Sequence, residues 1–288
     1  MTKDSFASLV NRLERDPASS LPELERFLRD ADPKQATTRL AVAAMVQAGT
    51  AEVQRSLVAA IEQRANDADF LRLAVPTIGF LAEPTVATVA AVRALTTQPA
   101  PTRTQTIAHL ALGNMASKLA ITDAARSAAL VSDYASRLAS ARTDDERMSW
   151  LSVLGNAGTP SAAAAIETQL DASDPTIRGR ALSALRRVES PKVDATLTRA
   201  LDDGDTGIRE SAAWALTRRA ASPKTMQVIA GKLATEQDDK VASSLLQVLW
   251  NGRAVERDLV VATMRSVAAG HASKAVRDRA QALLAEMT

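Results

Sequence analysis

The stretch DPTIRGRALSALRRV (174–188) returns as DTGIRESAAWALTRR (205–219), DKVASSLLQVLWNGR (239–253) and SKAVRDRAQALLAEM (273–287). With Arg178 as zero, places +3, +4 and +7 hold Ala181, Leu182 and Leu185, then Ala212, Ala213 and Leu216. Leu245, Leu246 and Leu249 follow, then Ala280, Gln281 and Leu284. At about 100° per residue these places share one side of a helix, so each copy reads as amphipathic. Arg147, Arg178, Arg209 and Arg277 mark the period, which is 31 to 35 residues. A repeat of that length describes helix pairs stacked so that each covers its neighbour's apolar side. Gln281 breaks the stripe in the last copy, as expected where no further repeat follows.

Shorter helices are expected between these, at 161–170, 193–201 and 224–233. Ile166, Leu197 and Ile229 are in phase there, as are Leu170, Leu201 and Leu233. Gly158, Pro160, Pro175, Pro191, Gly204, Gly207 and Pro223 break the chain between helices, and an Asp or Ser ahead of each helix can cap its free amides. The spacing and the Asp-x-x-Ile-Arg-x-x-Ala pattern resemble a HEAT repeat, the two-helix unit of α-solenoids. That resemblance implies a ladder of turn aspartates and second-helix arginines, here Asp174 with Arg178 and Asp205 with Arg209, with Arg147 and Arg277 in register. Residue 242 is Ala, so the ladder is interrupted in the third copy.

A second resemblance rests on LALGNMASKLA (110–120), LGNAGTPSAAAAIETQL (154–170), TIRGRALSALRRV (176–188) and GIRESAAWALTRR (207–219). Over about 100–220 these are similar to the helical domain of vitellogenin-type lipid transfer proteins. In that family the domain is a two-layered arch, and lipid sits in β-sheet domains that embrace it. No alternating strand runs occur in this sequence, so the resemblance implies the architecture and not lipid carriage.

The expected fold is therefore all-α: a right-handed α-solenoid of stacked antiparallel helix pairs, a HEAT-like superhelix. Residues 1–288 are read as one such array, with irregular repeats over 1–100 and regular ones over 101–288. Helices are expected at 3–15, 21–30, 34–48, 50–64, 67–81, 84–96, 102–119 and 122–140. Pro76 should kink the fifth of these, and TTQPAPTR (96–103) reads as a turn between units.

Composition agrees. Aromatics are 3% of the 288 residues, and alanine is about a fifth, which suits helices packed closely through small side chains. Without cysteine there is no disulfide or thiolate metal site. The net charge of +2 does not call for nucleic acid. No signal-peptide core or membrane-spanning run is evident. The expected compartment is the cytoplasm, or a secreted or periplasmic space if a leader has been removed.

Catalytic constellations are scarce: there is no nucleophile elbow, phosphate-binding loop or dinucleotide fingerprint. LGNAG (154–158) reads as a helix stop, with Gly155 allowing close helix packing. His109 reads as a satisfied structural histidine and His271 as a solvated loop residue. The carboxylates at 144–146, 202–205 and 238–239 sit at helix starts, where the macrodipole favours them. No cofactor, metal or catalytic residue is expected.

The binding face should be lined by places +2, +5 and +9 of the second helices. The residues expected to meet a partner are Arg180, Arg187, Trp214, Arg218, Gln247 and Asn251, flanked by Arg186 and Arg219. Trp150, at +3, should be core, and Trp250 lies between repeats. The arginines near helix C-termini also have a plainer reading as solvated ends favoured by the dipole. The expected function is a non-enzymatic scaffold or adaptor gripping another protein through an acidic surface or peptide. The alternatives are a helical module of a lipid-carrying or secreted assembly, a nucleic-acid binder or DNA-repair enzyme with a basic groove, and a bilin-attaching lyase.

Overall fold

The computed structural model describes residues 3–97 and 102–287, with side chains from residue 5 onward. Residues 98–101 of the expected turn, Pro99 and Pro101 included, lie outside the described residues. Among the described residues every regular element is helical, seventeen α-helices and one 3-10 turn. None is long and apolar enough to cross a membrane. The chain forms two compact units, Met1–Ala139 and Ser140–Thr288.

The first unit contains α1 (Lys3–Arg15), α2 (Pro17–Asp30), α3 (Ala36–Ala48), α4 (Ala51–Gln63), α5 (Ala68–Ile78), α6 (Val86–Ala94), α7 (Thr102–Thr122) and α8 (Ala124–Ala139). The odd helices α1, α3, α5 and α7 pack in succession, α2, α4 and α6 form a second layer, and α8 lies against α7. Side chains such as Leu13, Leu28, Met45, Leu57, Phe70 and Met115 fill the space between layers. Helix α2 begins at Pro17, four residues earlier than expected, because Asp16 accepts the Ser19 amide and proline occupies the first turn. Helix α5 ends at Ile78, two residues past Pro76, so that proline sits in its last turn.

One buried polar residue pins this unit's turns. Gln54 on α4 donates from Nε2 to the carbonyls of Gly49 (2.7 Å) and Glu83 (2.9 Å). Its Oε1 accepts from the Thr85 amide and the Thr88 hydroxyl, both at 2.9 Å. The start of α6 is thereby tied to α4. Gly49 ends α3 with φ of 59°, a conformation that costs glycine little.

The second unit holds α9 (Asp144–Ala157), α10 (Pro160–Glu167), α11 (Pro175–Ala184), a 3-10 turn (Leu185–Arg187), α12 (Pro191–Ala200), α13 (Thr206–Leu216), α14 (Pro223–Leu233), α15 (Asp239–Asn251), α16 (Arg257–Gly270) and α17 (Lys274–Ala285). Here α9, α11, α13, α15 and α17 pack each on the next, with α12, α14 and α16 stacked behind them. The fold is thus an all-α stack of helix pairs in each unit, and the apolar places behave as the period requires. Ala181, Leu182, Leu185, Ala212, Ala213, Leu216, Leu245, Leu246, Leu249 and Ala280 are all buried, while in the last copy Gln281 is exposed and Leu284 is only half-buried. Leu170 is only half-buried. So is Trp150, a departure from the core position expected of it; the next two copies place alanine there, and an indole overfills that slot.

Two glycines let the odd helices come close. A Cβ on Gly155 of α9 would lie 2.9 Å from the Ala184 Cα, and one on Gly179 of α11 would lie 2.9 Å from the Ser211 hydroxyl.

Candidate partner-binding face

The odd helices of the second unit begin at one edge and expose their C-terminal ends at the other. At the beginning edge, Asp174, Asp205 and Asp238 cap α11, α13 and α15 by accepting amides of the first turn. The expected aspartate–arginine rung takes another form. Arg178 donates to the carbonyls of Ala172 and Ser173, Arg209 to Asp203 and Gly204, and Arg277 to His271 and Ala272. Each arginine therefore hooks the two carbonyls five and six places before it and closes the turn that leads into its own helix. Arg147 instead pairs with Asp144 at 2.7 Å.

The repeat with Ala242 has no arginine to reach back, and His271 of the next repeat fills the gap. Its Nε2 donates to the carbonyl of Glu236, six places before Ala242, at 2.9 Å. Its Nδ1 accepts the Ser273 amide, which fixes the neutral tautomer. His271 is 7% exposed, not the solvated loop residue expected. The Glu236 carboxylate takes both Nε and Nη2 of Arg209, at 3.0 and 3.2 Å. Burial alone would raise its pKa, but Arg209 and the amides of Gln237 and Asp238 hold it below the usual range.

At the other edge lies the face expected to bind. Trp214 of α13 is 38% exposed. The guanidinium of Arg186 stands 5.8 Å from its ring centroid and that of Arg218 5.5 Å, which places the indole between two cations. Arg186 donates to the Asn156 side chain at 2.6 Å, and Arg187 donates to the Asn156 carbonyl at 3.0 Å, joining α11 to α9. Further along, Asn251 of α15 donates to the Thr217 carbonyl (3.1 Å) and accepts from Gln247 (2.9 Å). Gln247 in turn accepts from Arg279 of α17 at 2.9 Å. Of the six expected contact residues, three are hydrogen-bonded between helices: Arg187 to α9, and Gln247 and Asn251 in a run from Thr217, just past α13, to Arg279 of α17. Arg180, exposed on α11, completes the basic part.

Charge on this strip is unbalanced. No carboxylate forms an ion pair with Arg180, Arg186 or Arg218 among the described residues. Burial, and then Arg187, Arg180 and Arg218, push the Arg186 pKa down to about 10. The site holds positive charge at an electrostatic cost that an anion would relieve.

Arg219, expected to flank the strip, does not belong to it. It is 6% exposed and points into the unit, where it meets Asp194 at 2.8 Å and donates to the carbonyls of Leu185 (3.2 Å) and Val188. The plainer reading of these arginines as solvated helix ends also fails for Arg186, which is half-buried. Trp250 is half-buried, with the Arg253 guanidinium 4.1 Å over its ring.

His109 of α7 meets the Tyr134 hydroxyl at 2.8 Å through Nδ1. Burial lowers its pKa to about 4 and raises that of Tyr134. Among the described residues no three His, Asp or Glu side chains are placed to hold a metal ion.

Stacked antiparallel helix pairs carrying a polar, arginine-rich strip define an α-helical repeat protein. The family model for the Vitellogenin TPR domain matches residues 2–249, and the chain belongs to that family. A solved structure of lipovitellin, described in terms of its lipid–protein interactions, shares the fold with a TM-score of 0.57 at 16% identity. The match covers 99% of this chain and 32% of that one, so the chain spans about a third of lipovitellin's length. Human deoxyhypusine hydroxylase is similar over 93% of this chain and 95% of its own at 15% identity, but with a TM-score of 0.37. A designed armadillo repeat protein gives 0.31 at 16% identity, covering 93% of this chain and all of its own. Neither score is high enough to carry an argument. No curated protein matches the sequence.

Proposed function

We propose that the chain is a non-enzymatic scaffold or adaptor that grips another protein on the odd-helix face of its second unit. The observation that carries this reading is Trp214, half-exposed between two guanidiniums and off the apolar stripe. Exposed tryptophan and arginine at the centre of a preorganised patch supply most of the energy at protein interfaces. Two sets of hydrogen bonds, Asn156 with Arg186 and Arg187, and Gln247 with Asn251 and Arg279, hold the flanks of that patch before any partner arrives, which lowers the ordering cost of binding.

The test is capture of partners from the source organism by wild type and by a variant carrying Arg187→Glu, Trp214→Ala and Arg218→Glu. None of these side chains is buried, so circular dichroism should remain helical. Capture should be lost. A folded variant that captures the same proteins removes the face from consideration.

A second reading is favoured by the family match over 2–249: a helical module within a lipid-carrying assembly. Lipid that co-purifies and survives into native mass spectrometry supports it. Lipid-free protein leaves only the shared architecture.

A further inference from the structure

The basic strip has a spacing as well as a sign, and the spacing selects a ligand. Arg186 and Arg187 sit in the 3-10 turn after α11, Arg218 follows the end of α13, Gln247 and Asn251 sit on α15, and Arg279 sits on α17. Packed helices lie about 8–10 Å apart, and an extended chain advances about 3.3–3.6 Å per residue, so one repeat spans roughly three residues of an extended peptide. The strip therefore offers a cationic station, a second cationic station three residues on, a neutral amide station at six, and a cationic station at nine.

We propose that this face reads an extended acidic peptide, with carboxylates at i and i+3 and a third at i+9. This rests on the reading of the face as a protein-binding surface and names the chemistry of its partner. The first carboxylate meets Arg186 and Arg187, the second Arg218, and the last Arg279, while an uncharged residue lies over Gln247 and Asn251. Guanidinium forks pair with carboxylates through two parallel hydrogen bonds. Trp214, between the first two stations, gives the intervening peptide segment an apolar surface.

One further feature agrees. The low Arg186 pKa, caused by burial and by neighbouring arginines, marks a place where an arriving carboxylate removes a repulsion already present. A nucleic acid fits less well. Its phosphates would meet Gln247 and Asn251 with no charge to answer them, and Trp214 is one stacking platform where a strand of bases needs several.

The probe is a fluorescein-labelled glycine–serine peptide with glutamates at i, i+3 and i+9, read by anisotropy with the full chain. A second peptide crowds the same glutamates together, a third carries glutamine in their place, and a single-stranded oligonucleotide serves as competitor. The spaced peptide should bind at least about tenfold more tightly than either control peptide, the scale set by one charge-assisted hydrogen bond. Arg218→Ala should weaken it about tenfold, and Lys192→Ala, at an exposed lysine on α12, should leave it within about twofold.

Equal binding of the crowded peptide, or no loss with Arg218→Ala, overturns the proposal. So does an oligonucleotide that displaces the peptide at lower concentration than the peptide itself. If the spaced peptide fails while capture of natural partners still depends on Trp214, this ligand chemistry falls and the binding face stands. If capture is also unaffected, the face falls with it.

Discussion

Replacing Arg219 with alanine leaves Asp194 and the Leu185 and Val188 carbonyls without their donor. Breaking a buried ion pair from one side costs about 3–5 kcal/mol, so the urea midpoint should fall sharply. Arg218→Ala, one position away and exposed, should change the stability by no more than about 0.5 kcal/mol. The two arginines look alike in sequence, and no pattern of side-chain types separates them. Arg219 is told apart by Asp194, twenty-five positions earlier, and by main-chain oxygens, which carry no sequence signal. Gln54 was missed for the same reason: two of its four bonds go to main-chain carbonyls and one to a main-chain amide.

His109 gives the residue scale a pH signature. Its pKa is about 4 in the fold against 6.5 for the ordinary group, so between these values the unfolded chain binds more protons. Stability from the neutral imidazole is complete above about pH 6.5 and is lost as the pH falls towards 4. His109→Gln removes the titration, and the denaturant midpoint of that variant should change less over this interval than the wild-type midpoint does.

At the scale of the element, glycines predict opposite outcomes. Gly155→Ala drives a methyl group to within 2.9 Å of the Ala184 backbone and 2.8 Å of the Arg186 guanidinium. Overpacking of this kind costs about 1–3 kcal/mol, and thermal unfolding should show it. Gly231→Ala on α14 meets nothing within 4 Å and should stabilise by about 0.4–1 kcal/mol through the unfolded chain. The odd helices of the second unit are legible because Leu185, Leu216 and Leu249 recur in phase on one side of a period-3.6 helix. Helix α2 starts four residues before the expected 21 because Asp16 and Pro17 supply its cap and first turn. Of the candidate strip, Trp214 and Arg218 could be found from their places off the stripe. The inward turn of Arg219 and the half-burial of Trp150 depend on how much room a neighbouring helix leaves, which periodicity does not report.

At the scale of the whole molecule, acidic and basic residues nearly cancel, giving +2. Aspartates cap the starts of α11, α13 and α15, but Arg178 and Arg209 stand beside them, and Arg186, Arg187 and Arg218 follow the ends of α11 and α13. With so small a net charge, and with the strip interrupted by the neutral Gln247 and Asn251, a polyanion finds few contacts. Duplex DNA is therefore expected to show no binding at low salt, and an affinity that drops steeply with added salt would argue for phosphate contacts instead.

The borrowed bond of His271 bears on how such a chain can change over time. Its ring serves a carbonyl thirty-five positions upstream, in a unit that has given up its own arginine. Neighbouring modules are consequently not interchangeable: cutting the chain before His271 orphans a loop thirty-five positions away, and moving the Ala242 module elsewhere in the row requires its histidine-bearing successor to travel with it.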